Sequence, residues 1–303
     1  MPPNISEAPD WFRRALATPG TSRRVVVDGA SIHYLLWSGD GSKKPGILFV
    51  HGFLAHARWW DFIAPFFAET FRVAAIDLSG MGDSGSRPTY VNEMWEREIA
   101  AVIEHADFGP AIVIGHSFGG ARSLGAAARF PDRVSHVLIV DSYIHYHDLL
   151  DSYGRRSEDR GELGADLVKR VYSDYESARA HYRLTPPQEV LEPWTQKYIA
   201  HHSLRETEDG WTWKWDQHLR APRDLRDARH WLPGIQCPVT ITHAEHSRTC
   251  DRERAARIVR DLRFPVGPIE IPNARHHVML DQPLALITCL RSALAYQHGM
   301  SIA

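Results

Sequence analysis

Residues 111–129 hold an unbroken apolar run, a glycine-flanked serine and a helical pattern, with nothing between them. The run Ala111-Ile-Val-Ile114 reads as a strand buried on both faces. It passes into Gly115-His116-Ser117-Phe118-Gly119-Gly120, and from Gly119 to Arg129 apolar residues recur at helical spacing. A strand that turns this sharply into a helix strains the backbone of its corner residue. Glycines two positions to either side provide room that side chains would otherwise fill. The Ser117 hydroxyl is thereby lifted to the C-terminal edge of a sheet, beside a helix N-terminus that favours developing negative charge.

The same alternation runs through the chain. Arg24–Val27 and Ile32–Trp37 flank the turn Asp28-Gly29-Ala30 and predict a hairpin. Further strand-like runs are Gly46–Val50, Phe71–Ile76, Val134–Val140, Pro238–Thr242 and Pro268–Ile271. Helical patterns lie at Trp59–Phe67, Met94–His105, Arg252–Leu262 and Leu284–Tyr296. Strands alternating with helices imply an α/β class, with a parallel sheet covered on both faces by right-handed crossovers. From Ser142 to His230 this rhythm stops. That stretch is rich in tyrosine and tryptophan but lacks phenylalanine. Aromatics with a polar tip suit a surface both apolar and wet, so it is expected to be an inserted cap. The alternative is a helical subdomain packing its aromatics as its own core. The expected organisation is a core in two parts, 1–141 and 233–303, interrupted by a cap at 142–232. Within the cap, Trp211-Thr-Trp213-Lys-Trp215 alternates as a short strand would.

Composition excludes several partners. With 35 Lys+Arg against 37 Asp+Glu there is no basic excess to suggest nucleic acid. No apolar run is long enough for a membrane span, and the first twenty residues lack the apolar core of a signal peptide. Cys237, Cys250 and Cys289 are odd in number and show no CxxC spacing, so a cytoplasmic protein without structural disulfides is expected. The clusters His145-Tyr-His147-Asp148 and His201-His202 lack zinc-type partners, so no metal site is expected there. The glycines at 80, 82 and 85 form neither a phosphate loop nor a dinucleotide fingerprint, so no cofactor is expected.

A serine hydroxyl needs a base. Among 18 histidines, His276 and His277 lie between the last strand pattern and the last helix, where the loop emerges at the same sheet edge as Ser117. Chain order alone does not separate the two. At this point the chain resembles the α/β-hydrolase family along nearly its whole length. His51-Gly52-Phe53 is similar to the family's oxyanion loop, and Asp77 to Gly85 to its D-x-x-G-x-G-x-S loop, with Met81 where histidine is usual. Gly115 to Gly120 is similar to the nucleophile elbow and Asn273 to Pro283 to the histidine loop, which aligns His276 with the catalytic base. The resemblance implies a mostly parallel eight-stranded sheet with helices on both faces and an inserted, mainly helical cap. It also implies an oxyanion hole made by the backbone N–H groups of Phe53 and Phe118. The cap bears a weaker likeness to bacterial serine-hydrolase-like proteins.

A triad needs a carboxylate to hold the imidazole in the right tautomer. Most family members place it where this chain reads Ala244-Glu245-His246-Ser247, so a serine stands at the expected aspartate. Asp141, at the end of the strand Val134–Val140, is the expected acid, since some relatives carry theirs there. Glu245 and Asp251 are the alternatives, and a dyad without an acid is the last. The expected chemistry is hydrolysis of a small, partly apolar carboxylic ester or lactone through an acyl-enzyme on Ser117, without a cofactor. Two other readings stand beside it. One is a hydrolase of carbon–carbon bonds in ring-fission products, with Arg155, Arg156 and Arg183 available for a substrate carboxylate. The other is a ligand-binding protein with little turnover.

Overall fold

The computed structural model describes residues 5–37, 43–144, 169–190, 193–219 and 232–298. Arg155, Arg156, His145, His147 and Asp148 lie outside them. A short helix α1 (Asp10–Leu16) leads into the hairpin β1 (Thr21–Val27) and β2 (Ala30–Trp37). Its turn uses two left-handed residues, Asp28 at φ 45° and Gly29 at φ 80°, the backbone a two-residue hairpin of this twist requires. Then come β3 (Gly46–Val50), β4 (Arg72–Ile76), α2 (Asn92–His105), β5 (Ala111–His116), α3 (Phe118–Arg129) and β6 (Val134–Val140). Residues 169–219 carry β7 (Val171–Tyr172), α4 (Tyr175–Ala180), α5 (Pro193–His202), β8 (Leu204–Thr207) and β9 (Gly210–Trp213). The chain closes with β10 (Val239–Ala244), α6 (Arg252–Asp261), β11 (Pro265–Ile271), α7 (Val278–Asp281) and α8 (Pro283–His298).

Eight strands form one sheet in the order β1-β2-β4-β3-β5-β6-β10-β11. Only the pairings of β2 with β1 and β4 are antiparallel; from β4 to β11 every neighbour is parallel. The central strands are apolar throughout because both faces are covered. In β3, Leu48 and Val50 join the cluster under α2, α3 and α6. Ile47 and Phe49 join the opposite cluster, with Phe12 of α1 and Leu290 of α8. Each such side chain, fully removed from water, contributes about 1.5–3 kcal/mol before entropy is counted. The expected α/β architecture is the observed one.

One expected helix is not formed. Trp59–Phe67 is split into two 3-10 turns, Ala57–Trp60 and Ala64–Phe67. Pro65 has no N–H to donate and disfavours α backbone in the residue before it, so one continuous helix cannot run through. Residues 169–219 are less helical than expected, since β7, β9 and β8 form a separate antiparallel sheet. This sheet is tied to the large one through the loop after β4: Met81 bridges Trp215, the Gly82 N–H donates to the Lys214 carbonyl (2.8 Å), and the Asp216 N–H to the Gly80 carbonyl (2.7 Å).

Candidate active site

The site is built where β5 and β6 end. Ser117 occupies the corner between β5 and α3 with φ 53° and ψ −121°, a backbone that L-residues rarely adopt. The flanking glycines are required by close approach. A Cβ on Gly119 would collide with the carbonyls of Val50 and His51, and one on Gly115 would lie 2.5 Å from the Ser123 hydroxyl and the Gly119 carbonyl. One strand over, Asp141 follows β6 with φ 48°, fully buried. Two adjacent parallel strands thus each end in a left-handed residue.

The Asp141 carboxylate is surrounded by donors. Its Oδ2 accepts from His276 Nδ1–H (2.7 Å) and from the Ser247 hydroxyl (2.6 Å), and its Oδ1 from the Ala244 N–H (2.9 Å). Ser247 itself accepts from the Thr249 N–H (3.0 Å) and the Cys250 N–H (3.2 Å), so its only proton is directed at Asp141. The residue at the expected aspartate position therefore anchors another aspartate. The rival acids are engaged elsewhere. Glu245 accepts from the Asn273 N–H (2.8 Å), and Asp251 caps α6 by accepting from the Arg254 N–H (2.9 Å).

The two adjacent histidines have different partners. His276 meets Asp141, whereas His277 donates from Nε2 to the Pro186 carbonyl (3.0 Å), with its N–H on Gln188 (2.8 Å). His116, next to the serine, points its Nε2–H at the His276 carbonyl (2.8 Å) and braces the backbone of that loop. Burial pushes the imidazoles of both His116 and His277 well below their ordinary pKa, so they are neutral.

The oxyanion-type loop is held from below. His51 donates from Nδ1 to the Gly52 carbonyl (2.7 Å) and accepts at Nε2 from the Leu78 N–H (3.0 Å). Asp77 accepts from His33 (2.7 Å), the Ala57 N–H (2.6 Å) and the Asp83 N–H (2.9 Å). Burial alone would raise its pKa, but the His33 hydrogen bond and the nearby imidazoles overcome this and hold it below the usual carboxylate range. Met81, where histidine is usual, accepts at Sδ from the Leu54 N–H (3.3 Å). Among the described residues, the Phe53 and Phe118 N–H groups donate to no backbone acceptor.

Ser117, His276, Phe53 and Phe118 line one cavity of about 390 Å³. Its far wall comes from residues 169–219 and includes Tyr182, Arg183, Ser203, Trp213 and Trp215. Sequence reasoning missed most of this wall, and Trp59 with it; only the alternation of Trp211 to Trp215 signalled a side chain alternating toward one surface. Arg183 lines the cavity, but its Nη1 donates to the carbonyls of Ala180 (2.8 Å) and Tyr182 (2.7 Å). Among the described residues two separate groups each bring one potential metal-ligand atom per residue within 4.8 Å of the others: His116, His276 and His277 in the cavity wall, and His33, Asp77 and Asp83 around the loop after β4. No described helix is long and apolar enough to cross a membrane.

Comparison with known proteins agrees with this architecture. A curated esterase of Mycobacterium tuberculosis is 25% identical over 273 residues, covering 88% of each chain. A serine hydrolase-like protein of Danio rerio is 22% identical over 292 residues, covering 90% of this chain and 88% of that one. Among solved structures, E-2-(acetamidomethylene)succinate hydrolase superposes with a TM-score of 0.75 at 22% identity, over 90% of this chain and 98% of that one. The model of the alpha/beta hydrolase fold family matches residues 45–283, and the chain belongs to that family.

Proposed function

We propose that the chain is a serine hydrolase of carboxylic esters or lactones, with Ser117 as nucleophile, His276 as base and Asp141 as the acid that orients it. The observation that carries this reading is the 2.7 Å hydrogen bond from His276 Nδ1–H to Asp141, at the wall of the cavity that also holds Ser117. That bond leaves His276 Nε2 with its lone pair, the tautomer a general base requires. His276 takes the proton of Ser117 as the hydroxyl oxygen attacks the carbonyl carbon. The oxyanion is received by the N–H groups of Phe53 and Phe118, which have no competing backbone acceptor among the described residues. The tetrahedral species collapses, His276 protonates the leaving alcohol, and water, deprotonated by the same imidazole, releases the acid.

A relative named esterase, covering 88% of the chain, supports ester hydrolysis over carbon–carbon cleavage. Ser247 no longer argues for a passive binder, because its hydroxyl holds the carboxylate that faces His276. Residues 142–232 act as a cap, a reading supported by the share of the cavity wall that residues 169–219 supply. A cavity near the low end of the usual ligand-site range favours short, partly apolar acyl groups. Three unpaired thiols support residence in the cytoplasm.

The test is hydrolysis of a short-chain p-nitrophenyl ester by wild type, Ser117→Ala and Asp141→Asn. Both variants should lose about 10⁴-fold in kcat. Loss in Ser117→Ala alone would place the acid elsewhere. A wild type that neither turns over nor reacts with a fluorophosphonate would overturn the hydrolase reading.

A further inference from the structure

Three histidines meet in the cavity wall, and the proposed chemistry uses the ring of only one. One ring nitrogen from each of His116, His276 and His277 lies within 4.8 Å of those of the other two. The ring centroids are 4.8 Å (His116–His276), 4.9 Å (His276–His277) and 5.7 Å (His116–His277) apart. Each ring also spends its N–H on an oxygen: His116 Nε2 on the His276 carbonyl, His276 Nδ1 on the Asp141 carboxylate, His277 Nε2 on the Pro186 carbonyl. The remaining nitrogens, His116 Nδ1, His276 Nε2 and His277 Nδ1, therefore carry lone pairs. His277 Nδ1 is buried without any hydrogen-bond partner, in a residue only 3% exposed. A buried acceptor left unmatched costs about 1–3 kcal/mol, so its presence needs a reason.

We propose that His116, His276 and His277 form a binding site for a divalent transition-metal ion of the zinc or copper(II) kind, and that its occupancy switches hydrolysis off. Neutral imidazoles are the ligands such ions prefer, and a set with no oxygen donor does not select magnesium or calcium. Metal-binding histidines characteristically donate their other N–H to a carboxylate or a backbone carbonyl, the arrangement all three rings already have. Zinc–nitrogen bonds of about 2.0–2.1 Å place tetrahedral ligands about 3.3 Å apart, so the three rings must draw together from their present spacing to close on an ion. All three histidines line the cavity, from which an ion and a further ligand can enter. A metal on His276 Nε2 occupies the lone pair that would accept the Ser117 proton. The inhibition rests on the catalytic reading above, whereas the binding site does not.

Isothermal titration of metal-free protein with zinc chloride tests the site without requiring turnover. Wild type should bind one zinc per chain. His116→Gln, His276→Gln and His277→Gln should each weaken binding about tenfold or more, since even an outer partner of a ligand is typically worth about 10–100-fold. His246→Gln, at an exposed histidine, should leave binding unchanged. Copper(II) bound to wild type should give an electron paramagnetic resonance spectrum coupled to three imidazole nitrogens, a readout that does not depend on any variant folding. If the protein hydrolyses esters, zinc should abolish turnover with a midpoint matching its dissociation constant, and a chelator should restore it. No binding by wild type up to about 1 mM zinc, equal binding by all three variants, loss in His246→Gln, or coupling to fewer than three nitrogens would each overturn the site. Undiminished or faster turnover by the zinc-loaded enzyme would overturn the switch.

Discussion

Ser247 shows how one hydroxyl can stand in for a missing carboxylate without replacing its chemistry. It takes two amide hydrogen bonds and passes its proton to Asp141, so it acts by positioning. Ser247→Ala removes a donor from the buried carboxylate and leaves two amides unmatched, and kcat should fall roughly tenfold or more. Ser247→Thr keeps the hydroxyl and should recover most of the activity, an outcome a purely space-filling role would not give. The same geometry predicts a transplant. Asp141→Asn should be nearly inactive, and adding Ser247→Asp should restore part of kcat by placing a carboxylate where the Ser247 hydroxyl now reaches Asp141; steady-state assay of the pair checks this. At this scale the proposed nucleophile was legible because a strained turn writes its glycines into consecutive residues. The proposed acid was only partly legible. Its partners Ala244, Ser247 and His276 lie more than one hundred positions away, and their convergence on Asp141 is a property of adjacent strand ends rather than of any local pattern.

Elements with one dominant local pattern were read closely: β3 and β6 begin and end where the apolar runs do. Elements decided by tertiary contacts were not. The chain around Pro65 has helical spacing yet forms two 3-10 turns, and α5 has too weak an apolar stripe to declare which face it buries. That face is fixed by specific contacts with the 3-10 turns. Tyr198 of α5 donates to Asp61 (2.6 Å), and His56 Nε2–H donates to the hydroxyl of Ser203, just past α5 (2.9 Å). Burial, only partly opposed by the nearby Asp77 carboxylate, pushes His56 down to about 3, so it must remain neutral in the folded protein. Its contribution is complete above the ordinary histidine pKa and is lost as pH falls from about 6.5 toward 3, because the unfolded chain binds the proton first. Asp61 behaves oppositely. Burial pushes it up to about 6, so its ionisation removes stability as pH rises from about 4 to 6. Denaturant unfolding between pH 4 and 7 should therefore show a shallower acid loss in His56→Asn than in wild type, and a steeper one in Asp61→Asn. Parallel curves for all three proteins would show that neither group is linked to folding.

Across the whole molecule, the cavity depends on how firmly residues 169–219 are held against the sheet, and α1 is one of the clamps. Phe12 is fully buried between the two parts. Its ring lies 4.3 Å from that of Trp194 and 5.9 Å from that of Tyr198, both on α5, and 5.1 Å from that of Phe62 on the core side. Trp11 adds an edge contact with Trp194 at 5.7 Å. No functional motif touches α1, yet removing its central ring opens a void shared by both parts. Phe12→Ala should cost about 3–5 kcal/mol, a large share of the 5–15 kcal/mol available to a domain. The loss should not stop at global stability. With its buttress gone, α5 should exchange its amide protons faster than β3 or β5, because an element that has lost buried contacts opens locally before the core unfolds. Since α5 carries no residue proposed to do chemistry, KM for the ester should rise more than kcat falls. Hydrogen exchange read by element, beside the two kinetic constants, separates the outcomes. Uniformly faster exchange with kcat and KM unchanged would mean that α1 serves the stability of the core alone and does not hold the substrate wall in place.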